Sequence, residues 1–322
     1  MILVTGATGF IGSHLVERLC ARGEAVRCLI RRRKHSFALP DQVETVYGDL
    51  TTGEGLGTAV QDISATIHLA GTTKAISTRE FYEGNVRATE NLARAIAQRG
   101  SRLIHVSSLA CIGPSASIDA PVDEDSDPHP IGDYGKSKLE AERIVRKLVP
   151  GAVIVRPAVV YGPRDTDVFQ IFKSIARGFM LEMAGGVRWF QAIYVKDLAE
   201  GIFAAAQNPH ASGQTYFLAH PQPVSWGEFA TTAGCIMQKR PRTIRIPMTL
   251  AYAAGLLSEV WSRITGTPSI ISREKIREAQ FPYWTCDTRR FSQEIGFTAA
   301  TPPSAGLAET LAWYKESGWL TY

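Results

Sequence analysis

Long apolar runs are missing from these 322 residues. No uninterrupted stretch approaches the roughly 18 residues a membrane-spanning helix needs, so no span is expected. No basic leader with an apolar core stands ahead of the first strand-like run, which favours a cytoplasmic protein. Cysteine is scarce and poorly spaced for structural use. Cys20, Cys28, Cys111, Cys235 and Cys286 are odd in number and contain no Cys-x-x-Cys pair, which argues against a disulfide framework or zinc site and fits a reducing compartment. The seven histidines show no metal-ligand spacing, so no metal is expected. Strong charge is absent too. The net charge is +4 and the basic residues are scattered apart from Arg31, Arg32, Arg33 and Lys34, so nucleic acid is not an expected partner. There is no internal repeat and no low-complexity linker, and the Pro- and acid-rich segment 121–130 reads as one exposed loop. What remains is an ordinary globular chain, 45% hydrophobic, with ample core for one large domain or two modest ones.

The most informative segment present is the first. A short apolar strand runs directly into Gly6, Gly9 and Gly12, spaced Gly-x-x-Gly-x-x-Gly, and then into an amphipathic stretch carrying Ile11, Leu15, Val16 and Leu19. Such a turn suits a dinucleotide. Gly6 can take a conformation closed to other residues, Gly9 lets the main chain approach a pyrophosphate, and Gly12 lets helix and strand pack closely. The helix start supplies free N–H groups and partial positive charge.

Strand-like runs at 1–5, 25–30, 43–47, 65–69, 102–106 and 152–156 alternate with helix-like segments at 12–22, 80–98 and 134–148. This alternation predicts an α/β fold with a Rossmann-type doubly wound parallel sheet. After about residue 165 the pattern loosens into helix-like 167–178, strand-like 191–196 and 214–218, and amphipathic 225–237 and 248–264. The expected organisation is a dinucleotide-binding domain at 1–165, with 188–208 returning to it. A smaller interleaved C-terminal substrate-binding lobe is expected from 166–187 and 209–322. The apolar stripe of 248–264 suits a lid, a dimer contact or a membrane surface, and its interruption by Ser258 and Glu259 favours a packed helix or dimer contact.

Ligands in doubly wound sheets sit at the carboxyl ends of the strands. The fifth strand-like run ends in Ser107 and Ser108, and Tyr134 and Lys138 follow at the start of a helical pattern, four apart and so on one face. This Tyr-x-x-x-Lys is the only one in the chain. A cation one turn from a phenol favours the phenolate and fits it for proton transfer, while a serine at the strand end can donate to a substrate oxygen.

With Thr5 to Gly12, Gly48-Asp49-Leu50, His68-Leu69-Ala70-Gly71, Asn85-Val86 with Thr89, Ser107-Ser108 with Gly113, Tyr134 to Lys138, Arg156-Pro157, Tyr161 to Arg164 and Tyr194 to Leu198 in order, the chain resembles the extended short-chain dehydrogenase/reductase family over nearly its whole length. The resemblance implies Ser108, Tyr134 and Lys138 as catalytic residues, with Tyr134 the acid/base and Lys138 also holding the nicotinamide ribose. It implies cofactor contacts at Gly6, Thr8, Gly9, Phe10, Ile11 and Gly12, and an adenine-contacting pair in Asp49 and Leu50. Leu69, Ala70, Gly71, Asn85, Pro157 and Val160 would line the rest of the cofactor channel. A homodimer through helices 80–98 and 134–148 is implied as well.

An NAD-preferring unit normally carries an acid about 20 residues past the glycine turn. Arg31 and Arg32 stand there and no acid occurs between Ala25 and Pro40, so NADP(H) is preferred to NAD(H). Nucleotide-sugar members of the family place an arginine five residues before the position of Val195, where this chain has Phe190; Arg188 and Arg164 are the candidates to reach in its stead. The tracts 154–163 and 190–195 and the pair Trp313-Tyr314 are similar to the 3β-hydroxysteroid dehydrogenase-like and dihydroflavonol reductase-like branches. These imply a ketone and secondary alcohol interconverted on a hydrophobic or ring-containing small molecule. Trp226, Phe229, Trp261, Phe281, Tyr283 and Trp284 suit an apolar pocket wall, though ordinary core is the commoner use of such residues. The alternatives are a nucleotide-sugar 4-epimerase or dehydratase with bound NAD, and a catalytically silent cofactor-binding protein.

Overall fold

In the computed structural model the described residues are 1–32, 37–267 and 272–322, so Arg33 and Lys34 of the basic run lie outside them. Six apolar runs make the parallel core as β1 (Ile2–Thr5), β2 (Val26–Ile30), β3 (Glu44–Tyr47), β4 (Ala65–His68), β5 (Arg102–Val106) and β6 (Val153–Pro157). Shorter strands follow as β7 (Val159–Tyr161), β8 (Phe179–Met183), β9 (Trp189–Phe190), β10 (Ala192–Tyr194), β11 (Thr215–Leu218), β12 (Val224–Ser225), β13 (Arg242–Ile246) and β14 (Tyr283–Trp284). The main sheet has seven strands in the order β11-β6-β5-β4-β1-β2-β3, every pair parallel. Rossmann-type winding is thus what the molecule shows.

Buried on both faces, the central strands are continuous apolar runs rather than alternating ones. Val4 packs on one side with Leu15 and Leu19 of α1 (Phe10–Ala21). Its neighbour Leu3 points the other way, towards Leu92 and Val145. Between these lie two single-turn helices, α2 (Leu56–Ala59) and α3 (Thr78–Phe81), then α4 (Ala88–Ala97) and α5 (Asp133–Leu148), which carry Leu92 and Val145. In the C-terminal half, α6 (Val168–Ala176), α8 (Trp226–Ile236) and α12 (Pro303–Glu316) enclose a second core of Phe172, Phe229, Leu311 and Tyr314. Between them α7 (Val195–Gln207) returns to the main sheet beside α1, and α9 (Met248–Thr265), α10 (Arg273–Glu278) and α11 (Arg289–Ile295) complete the chain.

One strand lies elsewhere than the sequence suggests. Thr215–Leu218, expected in the substrate lobe, forms the edge of the main sheet, paired with β6 from Thr215 opposite Ile154 to Leu218 opposite Pro157. Its four residues are all buried, so only a place in a covered sheet satisfies them. Strand order reverses at β1, which has β2 on one side and β4 on the other. The crevice for a ligand opens there, past Thr5 and His68.

Candidate active site

The glycine turn is built as its spacing demands. Gly6 has φ +73° and leaves no room for a side chain, since a Cβ would stand 2.7 Å from the Ala70 nitrogen. A Cβ on Gly12 would stand 2.1 Å from the Gly6 carbonyl oxygen, so the turn closes on the helix only with glycine there. Gly9 is the N-cap of α1; no side chain caps the helix and no acid occupies its first turn. That leaves an uncapped cradle of N–H groups which fits a diphosphate.

A cleft of about 1120 Å³ runs from this turn to α9 and α10. It brings Phe10, Ile11, Leu69, Gly71, Asn85, Ser108, Tyr134, Lys138, Pro157 and Val160 together as lining residues. Gly6, Thr8, Gly9 and Ala70 lie in the two loops that close one end, with Gly12 in the first turn of α1 behind them. Arg31, Arg32, Asp49 and Leu50 stand apart, past the ends of β2 and β3. There Arg32 lies over the Tyr47 ring at 4.5 Å. Asp49 accepts from the Thr51 nitrogen (2.7 Å) and hydroxyl (2.6 Å). Burial works against its charge, yet these bonds and the Arg31 charge hold it below the usual carboxylate range.

Tyr134 and Lys138 are positioned by a polar relay under the cleft floor. The Thr5 hydroxyl meets His68 Nδ1 at 2.7 Å and His68 Nε2 meets the Thr89 hydroxyl at 2.9 Å. Burial pushes His68 down to about 3, so its ring is a neutral strut. One π-helical turn, Tyr82–Arg87, presents Asn85 to two loops at once. Its amide accepts from the Thr72 nitrogen (2.7 Å) and donates to the Thr72 carbonyl (3.0 Å) and the Ser137 hydroxyl (2.9 Å). Ser137 in turn donates to the Tyr134 carbonyl at 2.8 Å. Beneath, Arg156 and Glu142 form a fully buried bidentate pair at 3.0 and 2.8 Å that ties α5 to β6.

Ser108 caps the short turn after β5, accepting from the Ala110 nitrogen at 3.2 Å, and lines the cleft beside Tyr134. Lys138 reaches inward to donate to the Val106 carbonyl at 2.7 Å, and burial pulls it down to about 8. Lys138 is expected to depress the Tyr134 phenol, but in this structure its amine is turned to the Val106 carbonyl. The cation beside the Tyr134 ring is Lys275, 5.8 Å from its centroid, and burial keeps the phenol above its ordinary value despite Ser108 and Lys275. Four-residue spacing gave a shared helix face, but the lysine's reach is taken by the end of β5.

Sequence reasoning missed α10. The Glu274 carboxylate accepts from the Asp133 nitrogen at the start of α5, which carries Lys275 to the cleft, where it pairs with Glu278 at 2.7 Å. Nothing local in the sequence marks Lys275 as a partner of a tyrosine so far upstream.

Neither arginine that might have replaced the one missing at Phe190 reaches the cleft. Arg188 donates to the carbonyls of Ala279 (2.6 Å), Met183 (2.8 Å), Gly186 (2.8 Å) and Ala184 (3.2 Å). Arg164 is held by Glu17 at 2.6 Å. Phe190 packs between Trp226 and Phe229, and those rings are core rather than cleft wall. Phe281 and Tyr283 line a separate depression, and Trp261 faces outward. At the cleft mouth Lys74 pairs with Asp167 and Arg273 with Glu259, whereas Arg263 and Arg277 form no ion pair among the described residues.

Comparison with known proteins agrees with this geometry. A sequence model of the NAD dependent epimerase/dehydratase family matches residues 2–219. A ceramide reductase of Caulobacter vibrioides is 33% identical over 99% of this chain and 96% of its own. The N-acetyl-alpha-D-glucosaminyl-diphospho-ditrans,octacis-undecaprenol 4-epimerase of Escherichia coli O157:H7 is 25% identical over 96% of this chain and 94% of its own. Among solved structures, MoeE5 in complex with UDP-glucuronic acid and NAD superposes with a TM-score of 0.78 at 25% identity, covering 98% of this chain and 99% of that one. With its glycine turn, its seven-stranded parallel sheet and a family match across most of its length, the chain belongs to the NAD dependent epimerase/dehydratase family of extended short-chain dehydrogenases/reductases.

Proposed function

We propose that this protein is an NADP(H)-dependent oxidoreductase that interconverts a ketone and a secondary alcohol on an apolar, chain-bearing molecule. The observation that carries the reading is the fate of the guanidinium groups. Phe190 replaces the diphosphate-holding arginine, and Arg188 spends its donors on backbone carbonyls. A nucleotide diphosphate loses its strongest anchor. The full-length similarity to a ceramide reductase supports the same class of substrate.

A nicotinamide cofactor, when bound, would supply or accept hydride. The protein's own residues handle the oxygen. Ser108 donates to it and orients the carbonyl, and Tyr134 gives or takes the proton at its phenol oxygen. Lys275 beside the ring favours the phenolate. Lys138, placed by its bond to the Val106 carbonyl, would hold the cofactor ribose, and Asn85 keeps the loop after β4 in register with α5. Arg31 and Arg32 would read a 2′-phosphate beyond β2.

Absorbance at 340 nm with NADPH and long-chain ketones tests this: stoichiometric cofactor loss is expected, and Tyr134→Phe should abolish it while leaving cofactor binding intact. Arg31→Ala with Arg32→Ala should raise the KM for NADPH roughly tenfold and spare NADH. A second reading, epimerisation of a diphosphate-linked sugar with retained NAD, draws on Arg263 and Arg277 at the mouth and on the undecaprenol-diphosphate epimerase similarity. Product isomerisation without net cofactor loss, abolished by Arg277→Ala, would select it.

A further inference from the structure

Helix α9 is inside out. A surface helix of a globular protein turns its apolar stripe inward. In α9 the side against the protein is small and polar, with Ala251, Gly255 and Ser262 buried and Glu259 turned to bond Arg273. Gly255 packs so tightly that a Cβ would meet Ile276 at 2.6 Å. The outer side carries Leu250, Leu256, Leu257 (71% exposed), Val260, Trp261 (67%) and Ile264 (73%). At 100° per residue, Leu250, Leu257, Trp261 and Ile264 fall within an arc of about 60°.

Two further observations join it. The parallel ribbon of β8 and β13, which leads through Pro247 into α9, exposes Phe179, Leu181 and Ile244. Leu181 and Ile244 are register partners and so share a face. The sequence from 239 to 277 also holds eight Lys and Arg against two Glu, a surplus of six in a chain whose net charge is +4. The remainder of the protein is net negative; Lys239, Arg240, Arg242 and Arg245 lie on or beside β13 just before α9, while Arg263, Arg273, Lys275 and Arg277 line the cleft mouth on the helix's inner side.

We propose that α9, flanked by the β8–β13 ribbon, docks in the headgroup layer of an anionic lipid bilayer. Apolar residues with a tryptophan on one face and basic residues beside them are the pattern of a helix lying in an interface, and each nearby Lys or Arg adds attraction to anionic lipid. α9 lies on the surface and does not cross it, since no described helix is long and apolar enough for a span. Charge complementarity favours lipid over a second copy of the chain: a symmetric self-contact would set this basic segment against itself, whereas anionic headgroups neutralise it. The inner face of the helix also serves the cleft, because Glu259, Ser262 and Arg263 line its mouth. Only the use of this docking, taking an apolar ketone directly from the bilayer, rests on the reductase reading.

Co-sedimentation of the full chain with vesicles of phosphatidylcholine and phosphatidylglycerol in equal parts, and of phosphatidylcholine alone, is the test. Binding is expected to the anionic vesicles, to weaken as salt rises, and to fall roughly tenfold or more in Leu257→Glu with Trp261→Glu. That variant should still reduce a short water-soluble ketone at the wild-type rate. Should it fail to fold, Arg240→Gln with Arg242→Gln and Arg245→Gln gives the same readout through charge. Wild-type protein left in the supernatant with both vesicles overturns the proposal. So does a wild-type dimer that the Glu variants convert to monomer without vesicle binding. Vesicle binding without NADPH oxidation on any ketone would leave the docking standing and overturn the reductase reading alone.

Discussion

At the scale of single residues, the two buried cations near the cleft differ in what they cost. Lys138 is drawn down to about 8 by burial, from an ordinary 10.5, so at neutral pH the folded protein carries a charge it binds poorly. Between those values the unfolded chain holds a proton that the folded chain sheds, so this group's contribution grows more favourable as pH rises and is least favourable below about 8. Lys138→Met should therefore abolish turnover yet raise stability by about 1–3 kcal/mol at neutral pH, the gain shrinking towards pH ~10. Urea unfolding of both proteins across that range checks it; parallel curves would sink the argument. Arg156, by contrast, meets both Glu142 carboxylate oxygens through Nε and Nη2. Burial opposes the Glu142 charge, but Arg156 outweighs it and holds the carboxyl below 4.5. That stabilisation is present above 4.5 and is lost as pH falls through the lower folded value. Glu142→Ala, stranding the guanidinium, should cost about 3–5 kcal/mol, read from the urea midpoint. The motif residues Ser108, Tyr134 and Lys138 were legible because they are local in sequence or close a known spacing. Lys275 was not, because its position beside Tyr134 depends on Glu274 meeting the start of α5, a contact between distant segments.

At the scale of elements, the parallel core was legible from apolar runs alone, since a strand covered on both faces needs a continuous run and few other structures do. The turn before α1 was legible for a different reason: its glycines are dictated by backbone approach, not packing. Gly12→Ala puts a methyl 2.1 Å from a main-chain carbonyl that has nowhere to go. It should weaken NADPH binding roughly tenfold or more and cost about 1–3 kcal/mol, as titration calorimetry and thermal unfolding will show. β8 and β13 were missed because neither has a buried face to alternate against: β8 exposes Phe179 and Leu181 and buries only Met180, and β13 buries none of its residues. The direction of the α9 stripe was not legible for a related reason: its periodicity is genuine, but periodicity gives a stripe and not the way it faces. The exposed Leu257, Trp261 and Ile264 turn it outward, against the packed-helix expectation and not against the dimer-contact one.

At the scale of the whole molecule, the cleft joins two cores that the sequence order keeps apart. Leu69 at its floor packs on the core of the main sheet, whereas Phe10 of α1 packs with Val168 and Ile171 against the C-terminal core and Lys275 comes from α10. A cofactor laid along the cleft therefore touches both, and its binding energy enters the stability of the molecule as a unit. At a hundredfold excess over its Kd, NADPH should add about 2.7 kcal/mol. For a chain of this size that means a rise in Tm of at least several degrees. One transition should move as a whole, because neither half can open without releasing the ligand. NADH at the same concentration should give a smaller rise, and Arg31→Ala with Arg32→Ala should bring the two cofactors level. Scanning fluorimetry reads all three. Two transitions of which NADPH moves only one would show that the ligand is held by the main sheet alone, and equal shifts from both cofactors in the wild type would remove the 2′-phosphate role from Arg31 and Arg32.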